Sequence, residues 1–204
     1  MHNQMPCVDP GRLESDHVPL AESIRRLIDV SIRTEAGAAE VAAAKARIDS
    51  AADELSRALR PGPFGVHRMP DGQTIACGNA VVGVRNPVAP PLVIHHDPDG
   101  LVWSEFVLGV AYEGPPGKVH GGVCALVLDH VLGAVAHQPD RPAFTGTLTL
   151  RYRRPTPLER PLRAEARIER TEGVKIFAVG HLAAEDGLTV EAEGVFILPR
   201  QYRG

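Results

Sequence analysis

In the segment "KVHGGVCALVLDHVLGAVAH", His120 precedes Gly121 and Gly122, and Asp129 follows nine residues after the histidine. Between Val123 and Ala136 only Asp129 and His130 are polar. The first N–H groups of a helix have no intrahelical partner and lie at the positive end of its dipole. Glycine at such a start lets a reacting carbonyl approach the backbone closely, and donors placed there stabilise an oxyanion as it forms. Taken alone, a Gly-Gly pair ahead of a helix reads equally as a plain tight turn. Asp129 is the complementary group. A carboxylate inside an apolar helix is costly unless it is paired, hydrogen-bonded or protonated. It is therefore either a satisfied structural acid or a working one, a general base on water or a nucleophile.

Spacing adds a constraint. Asp129 is eight residues from Gly121, about 12 Å along one helix. It does not reach a carbonyl held at its own helix start. Two copies of the helix, antiparallel across a two-fold axis, would bring the carboxylate of one chain to the glycines of the other. The expectation is a homodimer with shared sites, open to further pairing as a dimer of dimers.

Other polar residues divide between chemistry and packing. Arg151 and Arg153 share one strand face by the period of two, and Lys175 begins a later strand. Such cations suit phosphate groups, while a solvated outer face is the plain alternative. His130 points roughly 100° away from Asp129 and reads as a packing or interface histidine. "HHDPDG" at His95–Gly100 reads as a strand end entering a turn, since adjacent strand residues point to opposite faces. No metal site is expected. Cys124 reads as a small core residue. There is no G-x-S-x-G elbow, which disfavours a serine hydrolase.

The elements that must position these groups follow from periodicity. Residues 1–17 read as loosely attached. Over 19–59 apolar residues recur on one helical face, with Gly37 as a break, so two helices or one kinked helix are expected. "PGPFG" ends this arm, and the domain division is 1–62 for the arm and 63–204 for the rest. Beyond it, short β-branched runs predict strands at 75–84, 92–96, 101–112, 143–153, 162–171, 174–184 and 188–198. "EGV" and "EDG" are hairpin signals between the last three. One helix, about 121–137, interrupts the strands. A helix apolar nearly all round is expected to be buried on all sides. The fold class is α+β, an antiparallel sheet wrapped around one long central helix, with an N-terminal helical arm.

Composition bounds the rest. The 204 residues carry a formal net charge of −3 and only three lysines, so no global basic field argues for nucleic acid. Cys7, Cys77 and Cys124 match no zinc spacing and suit a reducing compartment. The N-terminus lacks a basic-then-apolar leader, and no apolar run approaches a membrane span. A cytoplasmic protein is expected, with no cofactor.

A resemblance narrows the function. The segment "YEGPPGKVHGG" with its downstream carboxylate, "FT" at Phe144–Thr145, "LRYRRPTPL" at Leu150–Leu158 and "EGVKIF" at Glu172–Phe177 resemble the hotdog-fold acyl-CoA thioesterases. The likeness is closest to the mammalian mitochondrial-type long-chain enzymes, members four and five of the thioesterase superfamily. Phenylacetate-pathway thioesterases are more distant. It covers roughly residues 101–198. Where the phenylacetate type often has an Asn six residues before the histidine, this chain has Gly114, as the mitochondrial type does. The resemblance implies hydrolysis of acyl-CoA, of medium to long chain, to a fatty acid and CoA. It implies oxyanion donors at Gly121 and Gly122, Asp129 as the acid–base group, and Thr145 as a hydroxyl that supports the acid or its water. It also implies substrate contacts from Arg151, Arg153 and the Val174, Lys175, Ile176 stretch. His120 takes a positioning role. The alternatives are a hotdog hydratase or dehydratase with His120 as base, and a non-catalytic acyl-CoA-binding regulator.

Overall fold

The structure, a computed structural model, describes residues 7–90, 92–137 and 142–202. The chain divides into two compact units, 1–79 with 83–87, and 80–82 with 88–204.

The first unit is helical. Asp9 Oδ1 accepts the N–H groups of Gly11 and Arg12 and so caps α1 (Pro10–Arg12). A π-helical turn, Leu13–His17, leads on into α2 (Val18–Arg33). Residues 7–17 are thus not loose, and Leu13 is buried; residues 1–6 lie outside the described residues. The helices do separate at Gly37, which is extended and starts α3 (Ala38–Ser56). A two-stranded ladder, β1 (His67–Arg68) with β2 (Thr74–Ile75), completes the unit.

The strand expected at 75–84 is corrected: β2 ends at Ile75, and turns follow. Asn79, Gly83 and Asn86 build them, with Gly83 N–H bonded to Asn79 C=O and Asn86 N–H to Gly83 C=O. A Cβ at Gly83 would meet Asn79 O at 2.3 Å, so only glycine fits. The strands expected at 92–96 and 101–112 also shorten, to β3 (His95–His96) and β4 (Val102–Val107). Leu92 N–H turns back to Pro90 C=O, and a 3-10 turn at Val110–Tyr112 takes the end of the second run.

The second unit is one six-stranded antiparallel sheet, ordered β3-β4-β6-β7-β8-β5, with α4 (Gly121–Ala136) between β4 and β5 in sequence. The remaining strands are β5 (Phe144–Tyr152), β6 (Pro161–Glu172), β7 (Lys175–Ala184) and β8 (Gly187–Ile197). Gly173 and Gly187, at φ 56° and 109°, make the two hairpin turns. The helix packs on the inner face of the sheet. Val127, Leu128, Val131 and Leu132 are wholly buried against Ala164, Ala166, Ala178 and Ala192. These alanines keep the inner face low enough for a helix to lie in the curve of the sheet. This is an α+β hotdog arrangement.

One expectation about the helix fails. It is not buried on all sides. Gly122 and Leu126 are exposed, and Asp129 and Gly133 are half-buried on the same face, spaced i, i+4, i+7, i+11. That open face adjoins β5, the edge strand, whose Phe144 and Tyr152 are also exposed. A long edge strand beside an apolar face invites a partner.

Candidate functional site

The loop ahead of α4 is built on close approaches. Gly114 N–H bonds Lys118 C=O, and a Cβ at Gly114 would fall 2.7 Å from His120 Cα. No side chain fits at Gly114, an amide side chain included. His120 is extended and caps the helix, its Nδ1 accepting Gly122 N–H at 3.0 Å. That bond leaves the neutral ring's proton on Nε2. His120 C=O takes the N–H groups of Val123 and Cys124. Gly121 N–H has no hydrogen-bond partner among the described residues. The two glycines therefore differ: one donor is spent on the cap, and the other is open.

Tyr152 is a neighbour the sequence reading missed. Its hydroxyl donates to Gly121 C=O at 2.8 Å, and its ring lies where a Gly121 Cβ would touch it at 3.4 Å. Burial pushes its hydroxyl pKa up, so it remains a donor. The signal was present: Tyr152 stands between Arg151 and Arg153 and so points to the opposite face. Gly121 and Tyr152 line a cavity of about 340 Å³ with Lys118, Cys124, Arg153 and Arg154. Cys124 is buried and its thiol pKa is pushed up by that burial, which makes it a poor nucleophile. Its Sγ contacts Thr156 Oγ1, which in turn donates to Thr189 Oγ1.

At the other end of the open face, Thr145 Oγ1 donates to Asp129 Oδ1 at 2.9 Å. The contact depends on a β-bulge. In the ladder Thr145 lies opposite Phe196 and Thr147 opposite Val195, a shift of register centred on Gly146. Residues opposite one another share a face, and Phe196 is buried in the core. The bulge thus turns Thr145 inward, whereas Thr147, Thr149 and Arg151 point out. A Cβ at Gly146 would meet Ile197 Cγ1 at 2.9 Å and Val195 O at 3.2 Å, so glycine suits the bulge. His130 beside Asp129 packs away from it, and burial lowers its pKa, offset by the nearby carboxylate.

The remaining candidates do not cluster in one chain. Arg151 Nη1 pairs with Glu193 Oε1 at 2.6 Å, and Arg153 pairs with Glu191 through Nε at 2.8 Å, all on exposed side chains. Lys175 stands opposite Ile197, and Ile197 opposite Phe144, so Lys175 belongs to the Thr145 end of the sheet. Arg151 is level with His181, which puts about 20 Å of strand between it and Lys175. Ile176 is buried in the core, and Val174 packs against it while its C=O accepts Leu198 N–H. His95 stacks on Trp103 at 4.1 Å, and the indole N–H donates to Asp97. No cluster of three metal-ligating side chains occurs among the described residues.

Residues 116–191, which hold the glycines, Asp129, Thr145 and the arginines, match the family described as the thioesterase superfamily. A solved thioesterase superfamily protein is 33% identical, covers 95% of this chain and 94% of its own, and superposes with a TM-score of 0.81. The chain belongs to the thioesterase superfamily. Within it, the Acyl-coenzyme A thioesterase THEM4 of Xenopus laevis is 35% identical over 94 residues, which is 45% of this chain. The chain spans 42% of the length of that relative. A Bacillus halodurans protein solved with CoA, 24% identical and covering 58% of this chain and 78% of its own, has the same fold at a TM-score of 0.50. The family match runs from Pro116 to Glu191 and so takes in both ends of the open helix face, but not the helical arm.

Proposed function

We propose that the protein is an acyl-CoA thioesterase, hydrolysing acyl-CoA to a free acid and CoA, with the chemistry carried by residues 63–204. The observation that carries this reading is Asp129, bonded by Thr145 on the open face of α4. Thr145 occupies one carboxylate oxygen and leaves the other for water. Asp129 takes the water proton, the water oxygen bonds to the carbonyl carbon, and the oxyanion meets Gly121 N–H. Collapse breaks the C–S bond, and the proton leaves with the CoA thiolate.

Gly121 and Asp129 are about 12 Å apart on one helix, so the working site is composite. The open face of α4 and edge strand β5 support a homodimer in which the partner's Gly121 end lies along this chain's Asp129 end. Lys118, Arg153 and Arg154 would then reach the nucleotide phosphates from the glycine end, and Lys175 from the Thr145 end. Arg151, Arg153 and Arg154 meet phosphate only by giving up their ion pairs with Glu193, Glu191 and Asp186. Leu126 and Gly133, on the same open face, suit an acyl chain of medium to long length. Against a hydratase, His120 Nδ1 is committed to Gly122 N–H and offers no lone pair as a base. Against a binding-only protein, an acid held by a bulge-positioned hydroxyl has no binding role.

The test is release of CoA thiol, read with a thiol-reactive dye, from acyl-CoAs of graded chain length. Asp129→Asn is nearly isosteric. Turnover is expected to fall by orders of magnitude with the fold retained. Near-normal rates in the variant overturn the assignment.

A further inference from the structure

Among the described residues, no other helix or strand packs substantially on helix α3. None of its residues is buried, although it runs for 19 residues. In proteins most helical stability comes from packing an apolar face rather than from propensity alone. Its three large apolar side chains are Val41, Ile48 and Leu55, spaced by seven, and they are 47%, 41% and 51% exposed. A seven-residue repeat places them on one line, the seam of a coiled coil. The other seam position, three residues on, is alanine each time within the helix, at Ala44 and Ala51.

We infer that α3 pairs antiparallel with α3 of a second copy of this chain. Antiparallel packing sets the first seam position of one helix against the second of the other. Ile48 then faces the partner's Ala51, and Leu55 faces the partner's Ala44, with the same contacts repeated by symmetry. Each of these four layers holds one large and one small side chain, so the helices approach evenly between Ala44 and Leu55. A parallel pair instead stacks Ile48 on Ile48 and Leu55 on Leu55, which holds the helices apart and leaves voids at the alanine layers.

Charge agrees with this register. Arg47 and Glu54 flank the same side of the seam, and in the antiparallel register Arg47 lies beside the partner's Glu54, twice over. On the other flank Lys45 lies beside the partner's Ala52. It is occupied within its own chain by an ion pair with Asp49. No like charges meet. A second copy is therefore the occupant that size and charge both select. The pairing concerns the arm alone and does not depend on the chemistry proposed for Asp129.

The test is disulfide trapping in the full-length chain, with exposed Cys7 replaced by Ser. Ala44→Cys and Leu55→Cys chains, carrying different tags, are oxidised each alone and as a mixture. The mixture is expected to give the hetero-crosslink in large excess. Each variant alone should give little, because its two thiols would lie about 16 Å apart along the pair. Adding Ile48→Glu to both chains should abolish the crosslink by placing a carboxylate in each central layer, while leaving the circular dichroism of the sheet intact. Efficient crosslinking of either variant with itself overturns the antiparallel pairing. Absence of any crosslink, with both thiols shown to be reactive, overturns the inference altogether.

Discussion

Replacing Thr145 with Val keeps the shape of the side chain and removes the hydroxyl that donates to Asp129 Oδ1 at 2.9 Å. A hydrogen bond to a charged acceptor contributes about 1.5–3 kcal/mol. Asp129 is half-buried and Thr145 is exposed in one chain, so the lower end applies, about 1.5 kcal/mol. If the bond orients the carboxylate toward water, that energy appears in the barrier, and kcat is expected to fall about tenfold. KM should change little, since the hydroxyl touches the acid rather than the CoA. Thr145→Ser keeps the donor and should restore most of the rate. The assay is a set of saturation curves for one acyl-CoA, with thermal unfolding in parallel. A structural role alone would lower Tm by a few degrees and leave kcat in place. Equal kcat for Val and wild type would refute the positioning argument, and so would equal losses for Val and Ser.

Four further outcomes can be measured. A Gly121→Pro chain loses the open N–H at the first helical position, where proline is tolerated. Mixed with an Asp129→Asn chain it should regain activity, because one composite site keeps both groups, and no regain at any ratio means that each site uses a single chain. Glu191→Gln with Glu193→Gln frees Arg153 and Arg151 from their ion pairs and should lower KM for acyl-CoA, most at low salt. Arg151→Gln with Arg153→Gln should raise it and spare a pantetheine thioester lacking the nucleotide phosphates; equal effects on both substrates would make these arginines structural. His130 is held below its ordinary 6.5 by burial. The unfolded chain therefore binds the proton more readily, and the stability is complete above about pH 6.5 and declines as pH falls below it. His130→Gln should flatten the fall in Tm between about pH 7 and 5, and an unchanged slope would show that His130 does not set it.

The primary structure determined the long elements and singled out the candidate reactive groups. Apolar residues recurring on one helical face, with alanine content in the second helix, wrote the arm helices, with Gly37 as their break. An apolar run with one carboxylate wrote α4, and glycines at 173 and 187 wrote the last two hairpins. These are local signals, set by side-chain period and backbone freedom, and they survive without tertiary context. Short strands were less legible. Around Ala76–Asn86 the β-branched residues suggested a strand, but Asn79, Gly83 and Asn86 hydrogen-bond locally and win over so short a run.

The tertiary structure alone decided which faces those groups occupy. Strict alternation along β5 would send Thr145 outward with Thr147 and Thr149. The bulge at Gly146, set by pairing with β8, turns it onto Asp129. Likewise Arg151 and Lys175 looked like one cationic set, but strand order and register put them at opposite ends of the sheet. Pairing register is a long-range choice, fixed by how the inner face packs on the helix, and a single-residue shift reverses every side chain. The open face of α4 is of the same kind. Leu126 is as apolar as the buried residues, and only the extent of the sheet, which ends at β5, determines that it is left uncovered.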